Sequence, residues 1–304
     1  MPNRRNFLAL STAAATTPWL ARAAAAQTSH DQASHPLIIF AKPLEHLEFA
    51  ELGRRLDSIG VQGIEATLRA GGQIAPENFA ADLPKLTEAL AKHNQRVIIA
   101  ASDINQVNKQ TERQLQLFAQ VGIPNFRMNY FRYDYARPLL PQLDTFAKQA
   151  AELAGLCQAC GVKALYQNHA GKNYVGAALW DLQQVLREVD PQWLAVALDV
   201  RHTALELSQS WPSGYAAIRP HIGAVYVKDV SWIDNRPENV PLGTGIARPV
   251  FDAILRDGLI GPLSLHVEYI DHRDAALQEQ RWAAVTRDVT TLRSWLDKGV
   301  RSKE

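Results

Sequence analysis

Three stretches of the chain place chemically able side chains two residues apart: Gln167 and His169 in YQNHAG, Tyr226 and Lys228 in VYVKDV, and His266 and Glu268 in LSLHVEY. A fourth, LDVRHT, sets Asp199 and His202 three apart. Residues two apart on a strand share a face, so each of the first three pairs reaches the same side of its sheet. Carboxylates, a lysine and imidazoles converging on one pocket are equipment for acid–base work and for steadying charge on an oxygen. VKALYQNHAG opens apolar and ends polar. A strand of that kind either meets water or faces a site, and the surrounding elements decide which.

Eight short apolar runs qualify as strands: Leu37–Phe40, Gly63–Ala66, Arg96–Ala101, Asn125–Tyr130, Val162–Asn168, Leu194–Asp199, Ala224–Val230 and Leu263–Tyr269. Between them lie stretches such as LEFAELGRRLDSIG and TERQLQLFAQVG, whose apolar residues recur at i, i+3, i+4 and predict amphipathic helices. Several end on a glycine, among them Gly60, Gly122, Gly161 and Gly258, the residue that accepts the left-handed turn after a helix. A final helix is predicted from Leu277 to Leu296. Eight strand–helix units predict an α/β chain folded as a single-domain (β/α)8 TIM barrel over residues 37–298. A polar lead-in, 27–36, precedes it and a charged tail, 299–304, follows. The alternative, an open doubly wound sheet, normally carries a glycine-rich phosphate turn after its first strand, and FAKPLEHLEF has none.

In such a barrel, sites form at the C-terminal ends of the strands. Those ends present Lys42, then Glu65, Ser102 and Asp103, and Arg127 and Asn129. The remaining four present Gln167 and His169; Asp199, Arg201 and His202; Tyr226 and Lys228; and His266 and Glu268. One polar strand end is ordinarily just solvated. Eight make a ring, and charged side chains are seldom buried without partners. Mixed signs suit a polyhydroxylated or carbonyl ligand, or a metal, and do not suit an apolar one.

Residues 1–26, MPNRRNFLALSTAAATTPWLARAAAA, carry the paired Arg4 and Arg5, a mildly apolar stretch and an alanine-rich end. That order predicts a twin-arginine signal peptide and export to the periplasm. Its removal takes away three arginines and no acid, turning a formal charge of +1 into −2. A nearly neutral chain offers no electrostatic footprint for nucleic acid. No apolar run reaches the roughly 18 residues of a membrane-spanning helix. Cys157 and Cys160, in LCQACG, fall at a helix end just before Gly161, where the dipole opposes a thiolate. They are expected to be packing residues rather than a redox pair. GTG, Gly243 to Gly245, lacks a phosphate-loop pattern and is expected to be a turn entering the next helix.

YQNHAG, ALDVRHT, VYVKDV, PLGTGIARPVFDAIL and GPLSLHVEY, in this order and spacing, resemble the xylose-isomerase-like TIM barrels, the sugar phosphate isomerase/epimerase family. The resemblance implies a carbohydrate-active isomerase or epimerase, or a related lyase, that takes a proton from the carbon next to a sugar carbonyl. It also implies a divalent metal (Mn, Zn, Mg or Co) held by Glu, Asp, His and Glu from the fifth to the eighth strand. Asp199 and Glu268 match that set. Gln167 stands where the fifth-strand Glu is expected, and Tyr226 where the seventh-strand His is expected. A neutral amide and a phenol with an ordinary pKa of about 10 weaken such a site.

Three outcomes are open. A metal is held by Gln167, Asp199 and Glu268, with His169 or His202 as a replacement ligand; or proton transfer is metal-free; or the chain is a non-catalytic periplasmic sugar-binding barrel with a degenerate site. In the enzyme reading Glu268 is the base, Lys228 and His202 polarise the carbonyl, and Asp199 fixes His202 or a metal. Lys42, Glu65, Arg127, Asn129 and His169 are expected to bind substrate, His266 to stand behind Glu268, and Ser231–Leu242 to form a long loop above the mouth whose Trp232 stacks on a sugar ring. Trp211 is a second stacking candidate. Export favours a free or oxidised sugar, or a glycoside, over an intracellular sugar phosphate. The expected partner is a small carbohydrate, and self-association is left open.

Overall fold

The computed structural model describes residues 35–258 and 261–301. The leader predicted over residues 1–26 lies outside the described residues. Eight parallel strands close on themselves, each beside its neighbours in the chain: β1 (Leu37–Phe40), β2 (Gly63–Thr67), β3 (Val97–Ala101), β4 (Asn125–Arg127), β5 (Lys163–Gln167), β6 (Leu194–Asp199), β7 (Ile222–Val227) and, after a hairpin, β10 (Leu263–Leu265). β10 pairs with both β7 and β1 and closes the (β/α)8 barrel. The strands are enclosed on both faces, so they read as continuous apolar runs such as LIIF, VIIAA and LAVALD rather than as alternating ones.

Around the barrel run α1 (Phe49–Ser58), α2 (Phe79–Ala91), α3 (Lys109–Gln120), α4 (Leu139–Cys160), α5 (Trp180–Leu186), α6 (Val200–Leu207), α7 (Trp211–Ile218), α8 (Arg248–Asp257) and α9 (Gln278–Arg301). Their apolar stripes, with Leu52, Leu56, Leu86, Phe118, Leu153 and Phe251 fully buried, pack on the outside of the strands. Each such side chain contributes roughly 1.5–3 kcal/mol. A smaller cluster, including Ile38, Leu165, Ala195, Ala224 and Tyr226, fills the barrel interior. Apolar packing thus holds the scaffold, and the polar strand ends are left for chemistry. No described helix is long and apolar enough to cross a membrane.

Several boundaries differ from the sequence reading. β4 ends at Arg127: Met128 N still donates to Leu165 O at 2.9 Å, but beyond it the N–H of Asn129 goes to Ile104 O and that of Tyr130 to Asn129 Oδ1. Ser231–Leu242 is not a loop. It forms most of a hairpin of β8 (Asp229–Ile233) and β9 (Arg236–Val240), turned on Asp234 and Asn235 with φ of 49° and 60°. Two successive left-handed residues are what a two-residue hairpin turn requires, and Asp and Asn tolerate them. α9 continues to Arg301, so the tail expected at 299–304 begins inside a helix.

Two details bear on the site. Cys157 and Cys160 lie in the last turn of α4, ahead of Gly161 at φ 69°, and both are free. Burial pushes the Cys157 thiol up to about 12 and raises that of Cys160, as the packing reading expects. Arg281, on α9, is completely buried. Its Nε donates to Pro43 O at 2.7 Å, and its Nη1 to Asp271 O at 2.8 Å and Asp274 O at 2.6 Å. It fastens the loop after β1 to the loop after β10, across the seam where the barrel closes.

Candidate active site at the barrel mouth

The residues of YQNHAG divide four tasks. Tyr166 faces outward, donating to Val175 O at 2.9 Å and accepting from Phe131 N at 3.1 Å, and so braces two mouth loops. Gln167 faces inward. Its Nε2 donates to Asp199 Oδ2 at 2.7 Å, and its Oε1 accepts from Arg127 Nη1 and from the Tyr130 hydroxyl, both at 2.8 Å. Asn168 accepts from Asp199 N at 2.8 Å and donates to Thr203 Oγ1 at 3.1 Å, which locks the end of β5 to the end of β6. His169 donates from Nδ1 to Ala170 O at 2.8 Å, a bond that fixes the tautomer and leaves Nε2 bare.

The Asp199–His202 spacing is that of a helix cap. Asp199 precedes α6, and its Oδ1 accepts the N–H of His202, three residues on, at 3.0 Å. Its Oδ2 meets the Gln167 amide and lies 3.5 Å from His202 Nε2. Arg201 Nη1 donates to His202 Nδ1 at 3.0 Å, so the imidazole proton sits on Nε2. Burial, reinforced by Lys228, His169 and Arg201, holds the His202 pKa well below its ordinary value. Burial lowers that of His169 as well. The two neutral rings lie with centroids 4.2 Å apart.

From the segments just past β7 and β10 come the charges. Lys228 Nζ sits 2.8 Å from Glu268 Oε2 and 3.3 Å from Asp199 Oδ2. Burial works against its charge, but the two carboxylates outweigh burial and raise its pKa. Glu268 also meets Lys42 Nζ at 3.3 Å. Burial pushes the Glu268 pKa up, yet Lys228, His266 and Lys42 prevail and hold it well below the carboxylate range. Beneath this layer Glu65 accepts from Ser264 Oγ at 2.7 Å and His266 Nε2 at 3.0 Å, with Arg127 Nε 3.1 Å away. Burial again opposes the charge, and Arg127 with His266 still bring Glu65 to about 2. Arg127 itself lies over the rings of Phe40 and Tyr226, at 4.8 and 5.7 Å.

Of the residues expected at the site, Lys42, Arg127, Gln167, His169, Asp199, His202, Lys228 and Glu268 come together. Glu65 needs correcting: it is fully buried and engaged by protein groups, so it forms the floor rather than a surface for substrate. Asn129 turns its carboxamide oxygen onto the N–H of Tyr130 and shapes the loop. Trp232 is 58% exposed on the hairpin and stacks on no ring among the described residues. The hairpin reaches the site instead through Asn239, whose Nδ2 donates to Glu268 O at 3.3 Å. His266 stands behind Glu268, as expected, with its Nδ1 4.0 Å from Oε2. Tyr130 and the Arg201–His202 contact escaped the sequence reading. Tyr130 lies past the end of β4, where strand periodicity no longer applies.

GTG is a turn, as expected. Asp229 takes the N–H groups of Gly243 and Gly245 on Oδ2, both at 3.0 Å, and those of Val230 and Ala247 on Oδ1, at 2.9 and 3.0 Å. Donors that could cradle a phosphate are thereby already used. A hollow of about 440 Å³ bordered by Tyr215, Arg219, Ile222 and Asp257 lies at the opposite end of the barrel, where β7 begins, and shares no residue with the polar cluster.

The donor set does not fit a divalent cation. Gln167 turns an N–H, not a lone pair, toward Asp199, and its oxygen is committed to Arg127 and Tyr130. Burial and the nearby Glu65 carboxylate push the Tyr226 phenol well above its ordinary pKa, so it stays protonated. His202 carries its proton on Nε2, which leaves the bare Nε2 of His169 with the carboxylates of Asp199 and Glu268, and both carboxylates are already paired with Lys228. Among the described residues no three His, Cys, Asp or Glu side chains gather as metal ligands do.

Comparison with known proteins agrees with this architecture. No curated protein sequence matches the chain. Solved structures do, at low identity. The 3-keto-D-glucoside 4-epimerase of E. coli is 16% identical, with 84% of this chain and 99% of that one covered and a TM-score of 0.62. A D-psicose 3-epimerase from Clostridium cellulolyticum H10 is 13% identical, covering 86% and 99%, with a TM-score of 0.64. A probable 3-DHS dehydratase from Bacillus anthracis is 15% identical, covering 83% and 98%, with a TM-score of 0.61. At such identities the likeness is one of fold. The family profile described as Xylose isomerase-like TIM barrel matches residues 54–285, about three quarters of the sequence, and the chain belongs to that family.

Proposed function

We propose that the protein is a sugar isomerase or epimerase-like enzyme that moves a proton at the carbon beside a carbonyl, without a metal. A lyase would share the same first step. The observation that carries this reading is the Lys228 ammonium held between Asp199 and Glu268 at 3.3 and 2.8 Å. It puts a base and a cation side by side at the barrel mouth. Glu268 takes the proton from carbon. The negative charge moves to the carbonyl oxygen, where Lys228 and the Nε2–H of His202 receive it.

The ion pair also sets the timing. At rest Lys228 and Lys42 depress Glu268 and make it a weak base. As the Lys228 hydrogen bond swings from Glu268 to the substrate oxygen, the carboxylate loses part of that stabilisation and becomes a stronger base at the moment it is needed. Lys42, at the open side of Glu268, is placed for a hydroxyl or acid group of the sugar. The leader-like residues 1–26 favour export, and an exported enzyme meets free or oxidised sugars and glycosides rather than sugar phosphates.

The depressed Glu268 pKa also supports the second reading, a barrel that binds sugar without turning it over. One experiment separates the two. The protein is incubated in D2O with keto-sugars and 3-keto-glycosides, and deuterium at the carbon beside the carbonyl is followed by NMR. The enzyme reading expects wash-in by the wild type and its loss in Glu268→Gln, with binding retained. Undiminished wash-in by Glu268→Gln would sink the assignment, and binding with no wash-in in the wild type leaves the binder.

A further inference from the structure

Among the described residues three arginines are buried: Arg127, Arg201 and Arg281. A guanidinium keeps its proton in proteins and only donates, so a buried one needs acceptors. Arg127 meets Glu65 and Gln167. Arg281 spends Nε, Nη1 and Nη2 on oxygens of Pro43, Asp271, Asp274 and Gln278. Arg201 differs from both. It is only 9% exposed, yet it pairs with no carboxylate among the described residues and makes one hydrogen bond there, from Nη1 to His202 Nδ1 at 3.0 Å. Its Nε is enclosed and has no acceptor.

We infer that Arg201 forms a subsite for a carboxylate on the substrate, which makes the carbohydrate an acidic sugar. The inference deepens the function proposed above and rests on it, naming the class of sugar taken by the same site. A carboxylate presents two coplanar oxygens, and a guanidinium edge meets them with two parallel N–H donors. Nη1 is turned to His202, which leaves the edge of Nε and Nη2 for the ligand. Arg201 stands in the first turn of α6, two residues past Asp199 at the end of β6, and so belongs to the barrel mouth. Burial, Lys228, His169 and Arg201 together keep His202 neutral, and Arg201 acts with burial against the charge of Lys228. The guanidinium is therefore close to both donors that receive the carbonyl oxygen. It touches Nδ1 of His202, whereas the oxygen is received on Nε2, so the imidazole stands between the acid group and the carbonyl. A phosphate is the poorer match, because the backbone donors after β7 that could share its charge are taken by Asp229. Arg69, just past β2, also lacks a carboxylate partner among the described residues but is only half-buried, and it provides the comparison.

Methyl glucuronide against methyl glucoside, and methyl galacturonide against methyl galactoside, each differ by a carboxylate in place of a hydroxymethyl group. Their affinities are measured by calorimetry on the wild type, Arg201→Gln and Arg69→Gln, with glucose 6-phosphate as a further ligand. The wild type is expected to favour the acid of at least one pair roughly tenfold or more. Arg201→Gln should lose that preference and still bind the neutral sugar, and Arg69→Gln should keep it. A variant that merely loosened the site would weaken both members of a pair and leave their ratio unchanged. In the wild type, the NMR signal of the Arg201 Nε–H should shift with the favoured acid and not with its neutral counterpart, and this reading decides alone if Arg201→Gln does not fold. Equal or absent binding of both pairs by the wild type would overturn the inference. So would a preference that survives Arg201→Gln or vanishes in Arg69→Gln, tighter binding of the phosphate, or an unmoved Nε–H. Deuterium wash-in is scored separately. A preference for the acid without wash-in removes the enzyme and keeps the carboxylate subsite; wash-in without the preference does the reverse.

Discussion

Glu65→Gln tests whether the layer beneath the polar cluster is ionic. Glu65 is fully buried, faces Arg127 Nε at 3.1 Å and is held at about 2 against an ordinary 4.5. That difference converts to about 3 kcal/mol of stability at about 1.4 kcal/mol per tenfold change. A second route agrees: removing one partner of a buried ion pair costs roughly 3–5 kcal/mol, because the other charge stays buried and unpaired. Glutamine preserves the shape but leaves Arg127 facing an amide. We expect a loss of about 3 kcal/mol in urea unfolding at neutral pH. The sign with pH follows from a folded pKa below the unfolded one. The contribution is complete above about 4.5 and drains away as the pH falls towards about 2. Paired urea curves for wild type and variant across that range should therefore converge as the pH drops. A gap under about 1 kcal/mol, the scale of an exposed ion pair, or one that does not change with pH, would refute the claim that Glu65 is a buried, ionised counter-charge.

Three further expectations follow from the geometry. His169 and His202 should remain neutral in the folded protein under mildly acidic conditions, with 15N shifts showing the proton on Nδ1 of His169 and on Nε2 of His202. Their folded pKa values lie below the unfolded one, so the unfolded chain protonates first and stability should decline as the pH falls below about 6.5; His202→Asn should flatten that part of the curve. Asp229→Ala strands four backbone N–H groups, and a loss on the order of 3 kcal/mol is expected by urea unfolding, with faster amide exchange at Gly243, Gly245 and Ala247. Arg281→Leu leaves the carbonyls of Pro43, Asp271 and Asp274 without their donor. It should lower the melting temperature and weaken carbohydrate binding, although Arg281 touches no residue of the charged cluster.

The barrel was legible because each strand is a short, fully enclosed apolar run and each intervening stretch has helical spacing. Period-two reasoning also placed Gln167, Asp199, Lys228 and Glu268 at one mouth; β5 and β6 run up to Gln167 and Asp199, while Lys228 and Glu268 lie one and three residues past the ends of β7 and β10 and still face the same mouth. Direction was not legible. Nothing in QNH says that the Gln167 nitrogen faces Asp199; that is decided by Arg127, forty residues earlier, and by Tyr130, which stands outside any strand. Glu65 looked like its neighbours in the ring, but Ser264 and His266 approach it from a strand two hundred residues away and enclose it. The hairpin was missed because its outer part, from Trp232 to Glu238, is exposed and its strands DVSWI and RPENV carry no apolar run. Its signal was the Asp234–Asn235 pair, which reads as a turn only once two short strands are granted on either side.

Arg281 has a consequence for how the chain acquires its chemistry. Lys42 follows the first strand and Glu268 the last, and their 3.3 Å contact spans the closing seam. The clasp over that seam belongs to α9, which follows every barrel strand in the chain. A growing chain with all eight strands already in place would own every residue of the centre and still lack what holds its two edges in register. The centre therefore waits for α9 rather than growing strand by strand, and a product ending before Arg281 would carry its charged residues without their fastening.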